Sequence, residues 1–115
     1  MLFRSDVVEL PFSWTLDDYV YLEFVTFRRM LMPGLKRPDE MFANFRDDVD
    51  WMVREVKHGV CNVVFHPQVI GRGHRLLAFE RWLDGLNEFG LAYARMDQVA
   101  AAFREGRTFG IEPAD

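Results

Sequence analysis

Apolar positions fall on a helical stripe in the middle of the chain. Met41, Phe42, Phe45, Val49, Met52, Val53 and Val56 recur three and four residues apart, the spacing of an amphipathic helix. Pro38 suits the first helical position, where its missing N–H costs nothing. Asp39 and Glu40 suit the positive end of the helix dipole, Lys57 and His58 its negative end, and Gly59 a left-handed stop. A second stripe of Leu76, Leu77, Phe79, Leu83, Leu86 and Phe89 predicts a helix from about Arg75 to Glu88, ending at Gly90. A third, with Val99, Ala102 and Phe103 inward, predicts a helix over 97–105 with Gly106 as its stop.

Between these stripes lie short apolar runs. Residues 7–10 predict a strand stopped by Pro11, and residues 91–94 another. Residues 60–65 are apolar except for Asn62, the pattern of a parallel strand buried on both faces. The aromatic segment 12–32 is ambiguous. Leu16, Val20, Phe24 and Phe27 have helical spacing, the Asp17-Asp18 pair suits a turn or helix start, and Pro33-Gly34 breaks the chain. The alternation predicts an α/β fold with about three parallel strands joined by right-handed crossovers. Apolar strands do not make good open edges. The expectation is therefore a piece of a larger α/β sheet or barrel, either terminal or completed by oligomerisation.

Composition narrows the partners. A chain of 115 residues predicts one domain over 1–115, with a loose tail over 107–115. Half of it is hydrophobic and 15% aromatic, which excludes a disordered chain. The net charge of −4 without a basic patch argues against nucleic acid. No apolar run approaches the ~20 residues that span a membrane. The first six residues lack the layout of a signal peptide. Lone Cys61, in an apolar run, reads as a buried thiol in a reducing compartment, and the expectation is a cytoplasmic protein.

Chemistry collects where the predicted strands end. Asp17-Asp18 follow the first strand, His66, Gln68 and Arg72 the second, and Arg95 and Asp97 the third. A histidine beside a carboxylate from a neighbouring strand is a workable acid/base pair, the carboxylate fixing the tautomer and raising the imidazole pKa. On spacing alone, His66 reads first as a structural imidazole and Asp17-Asp18 as a helix cap. His58 closes a helix, His74 begins one, and Arg72 and Arg75 are solvated or paired with Glu80. There is no His-x-x-x-His pair and no cysteine cluster, so no self-contained metal site is expected.

The run Phe65-His66-Pro67-Gln68-Val69-Ile70-Gly71-Arg72-Gly73-His74-Arg75, continued by Leu76-Leu77-Ala78-Phe79-Glu80-Arg81, resembles the C-terminal signature of the polysaccharide deacetylase family. This is the chitooligosaccharide-deacetylase-like carbohydrate esterase family four. Leu10-Pro11-Phe12-Ser13-Trp14-Thr15-Leu16-Asp17-Asp18-Tyr19 resembles the intracellular peptidoglycan-deacetylase and allantoinase-like branch. The resemblance implies the C-terminal part of a deformed (β/α)7 barrel that hydrolyses non-peptide C–N amide bonds. It implies His66 as the acid toward the leaving amine, Trp14, Asp17 and Asp18 lining the substrate groove and orienting it, and Arg72 shaping the site.

The departures are specific. The family's base and first metal ligand come from a Thr/Ser-Phe-Asp-Asp-Gly motif, and its other ligands from His-x-x-x-His. Neither is present, and Thr15-Leu16-Asp17-Asp18-Tyr19 follows the wrong strand and lacks the glycine. Val20 stands where the branch has proline, and Arg95 where a capping Thr is common. A divalent, zinc-like metal is then expected only with a complementary N-terminal half. The chain reads as a truncated frame or a detached C-terminal half. Its expected partners are that half or a copy of itself, and a carbohydrate or small amide substrate. The alternatives are a non-catalytic oligomeric half-barrel and an allantoinase-like ring amidase.

Overall fold

A computed structural model describes residues 7–107; the chain start and the tail from Thr108 lie outside the described residues. The structure is mixed α/β and falls into two compact units, one of residues 12–89 and one built from residues up to 11 and from 90 onward.

In the larger unit, Ser13 caps a 3₁₀ turn at Trp14–Leu16, accepting a hydrogen bond from the Thr15 N–H. Asp17 caps α1 (Asp18–Leu22) in the same way, through Tyr19 N–H. The helix expected to run on to Phe27 stops after one turn, because Glu23 is extended. An antiparallel hairpin follows, β1 (Val25–Phe27) and β2 (Met30–Met32). Its two-residue turn places Arg28 and Arg29 at φ 48° and 65°, the left-handed geometry that matches strand twist but that Asn-Gly usually supplies. The chain then returns beside α1, with Gly34 N–H donating to Glu23 O and Lys36 N–H to Tyr21 O. A Cβ at Gly34 would sit 2.3 Å from Glu23 O, so the approach requires glycine.

Helix α2 (Pro38–Glu55) buries Met41, Phe42, Phe45 and Val49, as its stripe predicted. It ends at Glu55 rather than near His58, Gly59 is not left-handed, and Val53 and Val56 stay exposed. The expected turn after residue 65 contains a further one-turn helix, α3 (Pro67–Ile70), and α4 covers Gly73–Leu86. The inward face of α4 differs from its apolar stripe. Leu76 and Leu77 are exposed, while Arg75, Ala78 and Leu86 are buried and Phe79 and Trp82 pack on the core. The rotation brings Trp82 onto Phe42, stacked at 5.1 Å, and Phe79 edge-on to Phe65 at 5.0 Å. Such ring contacts are favourable beyond the area they bury. Phe45 is fully buried at the centre of this cluster.

The smaller unit contains α5 (Met96–Arg104). Gln98 Oε1 accepts from the Arg95 N–H, half of a capping box, so the missing Thr is partly replaced. Phe103, expected inward, is exposed. Gly90 and Gly106 are left-handed at φ 63° and 66°, as their stop positions predicted.

The three expected parallel strands are not ladders. Residues 7–10 and 91–94 are irregular, and residues 60–65 make one parallel bridge, Asp17 to Val64. A strand exists only through its pairing, and the 16–18 turn pairs with residues 60–65 at Val64 alone. No helix among the described residues is long and apolar enough to cross a membrane.

Truncating Phe45 to Ala leaves a void in the ring cluster and should cost about 3–5 kcal/mol of unfolding free energy. Urea denaturation measures this, and a loss below about 1 kcal/mol would contradict the placement of the core.

Candidate functional site

The site begins with that single bridge. Val64 N–H donates to Leu16 O at 2.9 Å, and Asp18 N–H donates to Val64 O at 3.1 Å. Two residues beyond Val64 the chain reaches His66, which therefore lies beside the first turn of α1. His66 precedes Pro67, whose ring favours extended backbone in the residue before it; His66 is extended, at φ −113° and ψ 121°, and caps the N-terminus of α3.

Asp18 holds His66 at two points. Its Oδ2 accepts the His66 backbone N–H at 2.9 Å, and its Oδ1 lies 2.7 Å from the ring Nδ1. Asp18 has 0% exposure, whereas the His66 side chain keeps 35%. Asp17 Oδ1 lies 3.9 Å from the same Nδ1. Tyr19 presents its ring edgewise to the imidazole at 5.6 Å. The hydrogen bond that the His66 ring donates to Asp18 holds the imidazole above the usual histidine range, opposed by partial desolvation and assisted by the charges of Asp18 and Asp17. With Nδ1–H donating to Asp18, Nε2 is the nitrogen left to exchange a proton with a ligand.

Asp17, Asp18 and His66 offer three ligand atoms within 4.8 Å of one another. While bonded to each other, Asp18 Oδ1 and His66 Nδ1 are not spaced as two ligands of one zinc-sized ion. Two ligands at ~2.0–2.1 Å in tetrahedral geometry sit more than ~3 Å apart, while Asp18 Oδ1 and His66 Nδ1 are at hydrogen-bond distance, 2.7 Å.

Of the residues singled out in the sequence, Asp17, Asp18 and His66 come together. Trp14, on the 3₁₀ turn, is 73% exposed, and Arg72, at the N-terminus of α4, is also exposed. No hydrogen bond or ring contact among the described residues joins either to the pair. Asp17 serves as helix cap and Asp18 as ring partner, so the two readings of the Asp-Asp pair are divided between its members.

Arg75 corrects its expected pairing. It is 6% exposed and bonded to Glu23 rather than to Glu80. Tyr19 also escaped notice, having no feature beyond being one of many aromatic residues. Cys61 is half-buried rather than fully buried. Burial, and then the charge of Asp48, push its thiol pKa up, away from reactive thiolate chemistry.

The geometry is that of an acid/base dyad at the end of an extended segment, and comparison with known proteins gives it a context. A curated peptidoglycan deacetylase from Helicobacter pylori is 28% identical to this chain over 101 residues, 87% of the chain. The chain spans about a third of that protein's length, 34%. This similarity supports a relationship to the polysaccharide deacetylase family, the one that the His66–Arg75 and Leu10–Tyr19 motifs resemble. No family model matches the chain, and no solved structure matches it.

The raised pKa of His66 fixes the sign of a pH effect. A proton bound more tightly in the folded than in the unfolded chain stabilises the fold fully below the ordinary histidine pKa. That contribution is lost as pH rises through the folded value. The stability difference between the wild-type chain and His66→Gln should therefore shrink with rising pH across this window, measured by urea unfolding at a series of pH values. A difference that grows with pH would contradict the pairing.

Proposed function

We propose that this chain supplies the general acid of a deacetylase-type hydrolase that cleaves non-peptide C–N amide bonds, such as the N-acetyl group of a glycan hexosamine. The Asp18–His66 pair carries the reading: a carboxylate without solvent exposure is bonded to Nδ1 of an imidazole that remains partly open. Hydrolysis of an amide requires water to add to the acyl carbon and a proton to reach the departing nitrogen. His66, protonated and with Nδ1–H held by Asp18, is suited to deliver that proton from Nε2. Asp17 adds negative charge near the ring, which favours the imidazolium. Trp14 offers an exposed aromatic face against which a sugar ring can lie, and Arg72 an exposed cationic side chain.

The water-activating base and the divalent metal that the family uses are assigned, in this reading, to a complementary N-terminal half, with which the chain would complete a (β/α)7 barrel. Val63 and Phe65 support such a partner. Their main-chain N–H and C=O groups find no hydrogen bond among the described residues, on the segment whose Val64 is paired to Leu16 and Asp18. An unpaired, half-buried edge of this kind favours addition of another strand. A second reading, a non-catalytic oligomer that covers the same edge with its own copy, is favoured by the hairpin, where Phe27, Met30 and Leu31 are all exposed.

Co-expression with a segment carrying the absent Asp-Asp-Gly and His-x-x-x-His motifs should yield a complex that releases acetate from N-acetylglucosamine oligomers. His66→Ala should lower kcat about 10²–10⁴-fold, the usual contribution of a positioned acid. Acetate release at the full rate in His66→Ala would exclude His66 as the acid. A self-associated chain that binds no such segment would favour the second reading.

A further inference from the structure

The acid/base pair is divided between two helices of one turn each, and neither is long enough to be stable alone. Asp18 opens α1, which ends at Leu22. His66 precedes α3, which ends at Ile70 and whose first hydrogen bonds return to His66 O. With Val64 bridged to the 16–18 turn, the freedom that remains between Asp18 and His66 depends on what fixes these two turns to each other.

One side chain contacts the C-terminal carbonyls of both. Arg75, in the first turn of α4, donates from Nη2 to Leu22 O at 2.9 Å and from Nη1 to Val69 O at 2.7 Å. Nη1 also meets Glu23 Oε1 at 2.8 Å. Leu22 and Val69 are themselves buried, at 0% and 1% exposure. Carbonyls at a helix end lack intrahelical donors, and a planar guanidinium with several fixed N–H groups can serve two of them at once where an ammonium cannot. The charge is balanced by Glu23, although Nε finds no partner among the described residues. So α1 is held at its N-terminus by the Asp17 cap and at its C-terminus by Arg75, while α3 is held by Pro67 and by the same guanidinium.

We propose that Arg75 is the positioning residue of the dyad, a clamp that ties the C-terminal ends of α1 and α3 and so sets Asp18 against His66. Its catalytic significance rests on the reading of His66 as the acid; the clamp itself does not.

Imidazole ¹⁵N–¹H spectra of the 115-residue chain across pH test it without turnover. The charged and polar groups around the ring are Asp18, Asp17 and the Tyr19 ring. In Arg75→Met, looser contact with Asp18 should move the His66 titration midpoint down toward that of an ordinary imidazole. Loss of a nearby cation by itself would move it up, so the sign separates positioning from plain electrostatics. An upward or absent shift in a folded variant overturns the proposal. Arg75→Lys keeps the charge but not the fork, and should also lower the midpoint; it decides the matter if Arg75→Met does not fold. In the unaltered chain, the Arg75 Hη protons should give separate, slowly exchanging signals, and a single averaged line would overturn the clamp. Failure of acetate release with these results intact would remove the hydrolase reading and leave the clamp standing.

Discussion

A carboxylate with no exposure to water must be given hydrogen bonds, because an unpaired buried charge costs several kcal/mol, to an order of magnitude. Asp18 meets this requirement by taking both the main-chain N–H and the ring nitrogen of His66, and much of the larger unit is arranged to permit it. The bridge at Val64 brings the two segments together, Pro67 keeps His66 extended, and Asp17 caps the turn that Asp18 begins. The ring cluster of Phe42, Phe45, Phe65, Phe79 and Trp82 holds α2 and α4 behind the segment that ends at His66. The same interaction that satisfies a buried charge also fixes one face of the imidazole and leaves the other available. Stability and chemistry thus share one hydrogen bond.

The parts of the fold legible in the sequence were those with local causes. Helix α2 follows from its Met41–Val49 stripe and Pro38, and the stops at Gly90 and Gly106 from glycine's tolerance of positive φ. What failed depended on distant partners. Residues 60–65 have a strand's composition but form a bridge, Asp17 to Val64, rather than a ladder among the described residues, and the hairpin is turned by Arg28-Arg29, which no turn preference marks. The inward face of α4 departs from its apolar stripe because the charged side chain of Arg75 is buried there, while Leu76 and Leu77 are exposed. The partner of Arg75, Glu23, lies 52 residues away, beyond any local rule.

The candidate site was legible in kind and not in detail. His66-Pro67 at the end of an apolar run announced a positioned imidazole, and an adjacent Asp-Asp pair a carboxylate to hold it. Which aspartate caps and which binds the ring is decided by the phase of a one-turn helix, a matter of backbone geometry. The exposure of Trp14 and Arg72 is likewise a property of the packed chain, and the similarity to a peptidoglycan deacetylase over 87% of the sequence carries no geometry of its own.

The central claim is that Asp18 holds Nδ1–H of His66 and leaves Nε2 to act on a ligand. Ring ¹⁵N chemical shifts of His66, recorded above its titration midpoint, read this directly. The account predicts a neutral imidazole protonated on Nδ1 with a bare Nε2, and a ring protonated on Nε2 would contradict it.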